Sequence, residues 1–323
     1  MTASRLTLAL ADGAIALPEG RIAVFGPPPG YDLSALPKQN VIVVSHDAVA
    51  TAHWQDAGFA TARAVTGGIA AALVVLPRAK DAAKALIAEA TASAPRVLVD
   101  GQKLDGIDSV LKAVRAAWPV AGSFAKAHGK LFWIDGAAFP GWAAAAHDIG
   151  GFVTRPGVFS ADAPDKGSLA LAEALPPLKG AVADLGAGWG FLARQILAAD
   201  SVTALHLVEA DAVALDCARE NLADPRAQFH WADATRWQPP ARLDAVVSNP
   251  PFHTGRAGDP DLGRAFIAAA ARMLAPSGSF WMVANRHLPY EAELAADFAQ
   301  VDEVAGTSGF KVIHAQRPHR HRR

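Results

Sequence analysis

Apolar residues along this chain come in short unbroken runs, divided by stretches in which they recur every three or four positions. In the first half the runs are Arg21–Phe25, Val41–Ser45, Ala72–Leu76 and Arg96–Asp100. Runs of this length predict strands buried on both faces, as in a parallel sheet covered by helices. Helical patterns lie between them, at Lys80–Ile87 and Ile107–Val114. Alternation of the two predicts an open, doubly wound α/β sheet.

The pattern breaks at Gly150-Gly151 and Arg155-Pro156-Gly157, and again at Pro164 and Pro176-Pro177. Gly167-Ser168 leads a short helix, and the strand–helix alternation restarts at Ala181–Leu185. The chain therefore divides into two α/β domains, 1–147 and 148–323. No close residue-by-residue repeat relates them.

Composition narrows the class without changing this picture. The chain has 323 residues, 51% hydrophobic and 19% charged, which suits two compact cores. No apolar run reaches the roughly 18 residues that would span a bilayer, and the N-terminus lacks the pattern of a secretory signal. A cytoplasmic protein is expected. The single cysteine, Cys217, cannot form an intramolecular disulfide or a thiolate zinc cage, and its helical setting predicts a buried small hydrophobe. No metal site is expected. Net charge is −1, so basic character is local, concentrated in the tail Arg317–Arg323, which reads either as a frayed terminus or as a phosphate-contacting arm.

The chemistry begins at Asp184-Leu185-Gly186-Ala187-Gly188-Trp189-Gly190-Phe191, between a strand and a helix. Gly186, Gly188 and Gly190 let the backbone turn tightly and approach a ligand closely. A dinucleotide loop would carry glycine or alanine at position 191, where Phe stands. The acid Asp184 leads the loop and suits a cofactor bearing an amino-acid ammonium. Glu209 ends the next strand, 25 residues after Asp184, and can accept both hydroxyls of a ribose. Asp233 is expected to end a third strand, facing an adenine amino group. Each acid alone reads as a solvated surface group; in this order, at successive strand ends, they read as one adenosyl-cofactor site.

A fourth strand, Leu243–Ser248, runs into Asn249-Pro250-Pro251-Phe252-His253. Two prolines stiffen the turn and keep Pro250 extended. That fixes the Asn249 amide oxygen and the Pro250 carbonyl as convergent acceptors for the two hydrogens of an aryl amine. Such an amine is a poor nucleophile, because its lone pair is delocalised into the ring. Drawing both N–H bonds toward acceptors favours a pyramidal nitrogen whose lone pair can meet a methyl donor. Phe252 offers a ring face for an unstacked base. His253 reads as a locally satisfied histidine.

With these residues assembled, the chain resembles the ribosomal RNA small-subunit guanine-N2 methyltransferase C family and its large-subunit counterpart. The resemblance rests on Pro156-Gly157-Val158-Phe159-Ser160, the Asp184–Gly190 loop and Ser248–His253. It extends to Val283-Ala284-Asn285 with Leu288-Pro289-Tyr290, and to Phe310-Lys311-Val312. It implies two tandem Rossmann-like class I methyltransferase domains, the first degenerate and serving to support the fold and grip RNA. It implies S-adenosyl-L-methionine as cofactor and a guanine of the small ribosomal subunit as substrate, with a monomer as the working expectation. In the first half the nearest glycine-bearing loop, Phe25-Gly26-Pro27-Pro28-Pro29-Gly30, has prolines where a cofactor loop needs free N–H groups.

Other readings compete. The same tetrapeptide serves adenine-N6 and protein glutamine-N5 methylation, although a glutamine enzyme more often carries Tyr at 252 and a helical accessory domain. An oxidoreductase is opposed by Phe191 and by the Asn249 loop. A non-catalytic RNA-binding protein is opposed by the joint presence of Asp184, Glu209, Asp233 and Asn249.

Overall fold

The computed structural model describes residues 4–251, 253–254, 257–258 and 260–319. Phe252 and the tail Arg320–Arg323 lie outside the described residues, as does the side chain of His253. The chain forms two compact units, Met1–Ala146 and His147–Arg323.

The first unit runs α1 (Arg5–Ala11), β1 (Arg21–Phe25), β2 (Val41–Val44), α2 (Ala48–Asp56), β3 (Ala60–Ala62), β4 (Ile69–Val75), α3 (Lys80–Ser93), β5 (Arg96–Gln102), α4 (Ile107–Ala117), β6 (Gly122–Lys126) and β7 (Gly129–Asp135). Its sheet has the order β3-β2-β1-β4-β5-β7-β6, with β7 antiparallel to both neighbours. The interior strands are the expected apolar runs. Ala23, Val24, Phe25, Val43, Ala72, Val74 and Val99 are fully or almost fully buried between the two helical layers, as a parallel sheet covered on both faces requires.

The second unit opens with a short hairpin, β8 (His147–Asp148) and β9 (Val153–Thr154). It continues through α5 (Lys166–Ala174), β10 (Gly180–Leu185), α6 (Phe191–Leu197), β11 (Val202–Glu209), α7 (Ala212–Asn221), β12 (Ala227–Trp231) and β13 (Leu243–Ser248). After β14 (His253–Thr254) and β15 (Ala257–Gly258) come α8 (Pro260–Met273), β16 (Leu274–Asn285), α9 (Glu291–Asp297), β17 (Phe298–Gly306) and β18 (Phe310–Pro318). Its main sheet has the order β12-β11-β10-β13-β16-β18-β17, again with the penultimate strand antiparallel. The two sheets thus share one topology, and each is a Rossmann-like α/β layer.

That shared topology creates a residue-level equivalence invisible in the sequence. Phe25 pairs with Val44 and Val74, as Leu185 pairs with Val208 and Ser248. The turns after β1 and β10 then correspond position by position. Gly26 N donates to Val44 O and Gly186 N to Val208 O, each at 2.9 Å. Gly30 and Gly190 close the turns with φ of 84° and 89°. Val24 therefore stands where the second unit has Asp184, Pro28 where it has Gly188, Ser45 where it has Glu209, and Val75 where it has Asn249. The first unit keeps the loop's entry hydrogen bond and its closing left-handed glycine; Pro28 cannot take the left-handed φ of Gly188, and the donors and acids are gone.

Candidate functional site

The site is built on the carboxyl ends of β10, β11 and β13, where an open α/β sheet presents ligand-binding loops. β10 and β13 are neighbours, so the glycine loop and the Asn249 loop start side by side. A hydrogen bond from the buried Ser248 Oγ to Leu185 O at 2.7 Å joins the last residues of the two strands.

Asp184 is wholly buried, and no hydrogen bond of normal length and angle reaches either of its carboxylate oxygens, the Ala193 amide being a weak partner only. Burial, reinforced by the nearby Glu209 carboxylate, raises its pKa to about 8, and the Ala193 amide offsets the rise only in part. A buried acid so weakly partnered is costly unless something completes it. A cation is the natural complement, since it restores the ionised form.

Glu209, half-buried, is engaged at both oxygens. Oε2 accepts from Gly188 N and Oε1 from Asp211 N, each at 2.8 Å. Burial pushes its pKa up, and those two N–H donors pull against that rise. Each oxygen retains a second lone pair for a ligand hydroxyl. The glycine loop and the carboxylate therefore hold each other: Pro28 in the first unit has no N–H to give, and Ser45 no carboxylate to receive one. Space beside Gly188 is open, with nothing within 4 Å of where a Cβ would stand.

Asp233 departs from expectation. β12 ends at Trp231, so Asp233 lies in the following loop. Its Oδ1 accepts from Thr235 N at 2.8 Å and Thr235 Oγ1 at 2.6 Å, forming a local turn. The favourable local bonds of a short acid outcompeted extension of the strand.

Asn249 follows β13 directly. Its Nδ2 donates to Asp165 Oδ2 at 2.9 Å and to Ser168 Oγ at 2.8 Å. Both partners belong to the first turn of α5, where Asp165 is the N-cap and also accepts from Ser168 N at 3.0 Å. With both amide hydrogens used, the planar group turns its oxygen away from α5. Pro250 is buried and Pro251 exposed.

Supports for the loop come from residues that motif reading passed over. Asn221 at the end of α7 donates to Trp189 O at 2.8 Å and Val153 O at 2.9 Å, and accepts from Val153 N at 2.6 Å. Trp189 Nε1 donates to Phe159 O at 3.0 Å, which ties the Pro156–Ser160 segment to the glycine loop. Lys311, buried in β18, donates to Leu288 O at 2.7 Å and pairs with Glu291. Two separated motifs, Leu288-Pro289-Tyr290 and Phe310-Lys311-Val312, are thereby one structural unit. Cys217 is buried, as expected for a small hydrophobe.

The first unit uses its buried charges internally. Asp100 accepts from Arg5 Nε and from Tyr31 Oη, the latter at 2.6 Å. Among the described residues no cluster of His, Cys, Asp and Glu could hold a metal ion, and no helix is long and apolar enough to cross a membrane.

Known proteins are similar to this chain in sequence and in fold. The model of the methyltransferase small domain matches residues 150–314. The ribosomal RNA small subunit methyltransferase C of Shewanella oneidensis is 35% identical over 162 residues, which are 50% of this chain and 47% of the relative. Its counterpart in Shewanella halifaxensis is 36% identical over 158 residues, 48% of this chain and 46% of the relative. The matched region thus spans about half the length of these curated relatives. A solved T. thermophilus 16S rRNA N2 methyltransferase, in complex with AdoMet and guanosine, superposes with a TM-score of 0.78 at 25% identity, covering 94% of this chain and 90% of that one. The match over residues 150–314, most of the second unit, makes this chain a member of the methyltransferase small-domain family.

Proposed function

We propose that this chain transfers a methyl group from S-adenosyl-L-methionine to the exocyclic N2 amine of a guanine in ribosomal RNA of the small subunit. The observation that carries the reading is the Asn249 amide, held by α5 with its oxygen turned outward beside the glycine loop. Relatives named as small-subunit methyltransferases support the substrate class. The T. thermophilus likeness, which extends over both units, supports guanine over adenine or a protein glutamine.

In this reading Asp184, through the Gly186–Gly190 loop, takes the cofactor's amino-acid ammonium, Glu209 its ribose hydroxyls and Asp233 its adenine amine. The weakly partnered Asp184 carboxylate and the open space at Gly188 fit that assignment. When bound, S-adenosylmethionine supplies an electrophilic methyl group on a sulfonium. The protein's own contribution is alignment. Asn249 Oδ1 and the Pro250 carbonyl accept the two N–H bonds of the guanine amine and turn its lone pair out of conjugation. Pro251 keeps the turn rigid, and Phe252 receives the base. Asn249 is no base, so the surplus proton leaves to water after the new N–C bond has formed.

The protein works as a cytoplasmic monomer on the small ribosomal subunit or its RNA, and the first unit contributes fold support and RNA contact. The test is to incubate labelled cofactor with separated small and large subunits from a strain lacking this protein, then to analyse the nucleosides. Label in N2-methylguanosine of the small subunit is the expected result. Label in N6-methyladenosine, or in protein, would overturn the reading.

A further inference from the structure

The first turn of α5 lies outside every motif that defines the site, yet it makes two side-chain contacts with Asn249. Asp165 Oδ2 accepts from Asn249 Nδ2 at 2.9 Å and from Ser168 N at 3.0 Å. Ser168 Oγ accepts the other Nδ2 hydrogen at 2.8 Å. Ser168 is buried. Between these two residues stands Gly167. A Cβ there would sit 2.9 Å from Asp165 Oδ2 and 3.2 Å from the Phe310 ring, so a larger residue would press on the cap and on β18.

The chemistry of these partners is asymmetric. An ionised carboxylate only accepts hydrogen bonds, and the two faces of an Asn side chain differ only in which end donates. Rotating the Asn249 amide by 180° would set its oxygen against Asp165 Oδ2, oxygen facing oxygen. The cap residue therefore selects one of two nearly isosteric orientations of the amide. That choice decides whether Asn249 offers an acceptor or a donor to a ligand on its far side.

The geometry points to Asp165 and Ser168 as the positioning residues of the reaction: they lock the Asn249 amide with its oxygen outward, so that the loop accepts from an exocyclic amine. This inference rests on the proposed methyl transfer to guanine. It adds that the amine-accepting character of the loop is set from α5. Asp165 and Ser168 touch no substrate; they act through Asn249.

Two capping substitutions with opposite consequences test this, because the Asp165 oxygen that caps Ser168 N is the one that accepts from Asn249. Asp165→Asn keeps the cap only with its amide oxygen in that place, where it still accepts from Asn249 and still selects the orientation. Asp165→Ser also caps, but its hydroxyl donates as readily as it accepts, so the Asn249 amide is free to turn either way. Asp165→Asn is expected to keep kcat for methyl transfer within about 5-fold of the parent. Asp165→Ser is expected to lower kcat about 100-fold, with KM for RNA changed by less than about 3-fold. Loss of the helix start alone would slow neither selectively, since both residues cap. Asp165→Ser as fast as Asp165→Asn would overturn the inference.

A second measurement does not depend on the reaction. In the full-length protein the side-chain NH₂ resonances of Asn249, assigned by their loss in Asn249→Asp, are expected to exchange slowly with solvent in the parent and about 10-fold faster or more in Asp165→Ser combined with Ser168→Ala. Exchange unchanged in that variant would overturn the lock. Absence of guanine methylation by the parent, with the slow exchange intact, would instead strike the proposed function and leave the lock standing.

Discussion

The Ser248 hydroxyl donates to the Leu185 carbonyl at 2.7 Å, and both residues are fully buried. Each is the last residue of its strand, so one hydrogen bond fastens the start of the glycine loop to the start of the Asn249 loop. Ser248→Ala removes it and leaves the carbonyl one partner short. A buried bond of this kind contributes about 1 kcal/mol, and an orphaned acceptor costs about 1–3 kcal/mol. Calorimetry is expected to show a fall in Tm of a few degrees, and cofactor titration a weaker affinity.

Asp184 links cofactor binding to pH. Its pKa of about 8 in the free protein leaves it largely protonated at neutral pH, and a bound ammonium would hold it ionised. Binding at pH 7 should therefore release a proton, and affinity should weaken as pH falls below about 8. Calorimetric titration in two buffers of different ionisation enthalpy measures that release directly. In Asp184→Asn it should vanish. Stability follows the same sign. The folded pKa lies above the unfolded value of about 3.9, so the native state binds the extra proton and loses stability as pH rises between the two values. Asp184→Asn should therefore gain most on the ligand-free parent near pH 8.

Gly188 faces open space, and its φ of 55° is left-handed. Gly188→Trp should cost the fold only about 1–2 kcal/mol of backbone strain while filling the region assigned to the cofactor. Binding is expected to be lost with far-ultraviolet circular dichroism unchanged. Tight binding by this variant would mean that the cofactor lies elsewhere.

Lys311 is buried and held by Leu288 O and Glu291. Lys311→Met keeps the apolar stem and deletes the donor. The Leu288 carbonyl keeps the Tyr290 amide as a partner, so losing the buried Lys311 bond should cost about 1 kcal/mol, read as a lower urea midpoint with an unchanged slope.

Much of the fold is legible in the chain itself, because buried parallel strands are apolar runs and are hard to mistake. The glycine loop and Asn249 are equally plain, since their residue types have few other uses at strand ends. The features that the sequence conceals depend on distant contacts. Asp165 and Ser168 read only as a helix start, and their meeting with Asn249 spans 84 and 81 residues. Lys311 looks like a surface lysine until β18 is placed beside the Leu288 turn. β17 is mostly exposed, so its apolar signal is weak and its pairing comes from the sheet. Asp233 misleads because a short acid can end a strand or cap the turn after it, and Thr235 decides between them.

The equivalence of the two units is hidden for a related reason. Strand register aligns Val24 with Asp184 and Val75 with Asn249, substitutions that remove the very residue types a motif search follows.

The central claim is that Asn249, expected from the sequence to touch the cofactor as well, acts chiefly by aligning the amine. The direct measurement is single-turnover methyl transfer to small-subunit RNA by Asn249→Ala, alongside its cofactor affinity. Loss of one aligned acceptor should slow transfer by about 100- to 1000-fold, with cofactor affinity within a few-fold of the parent. Transfer within a few-fold of the parent would contradict the account.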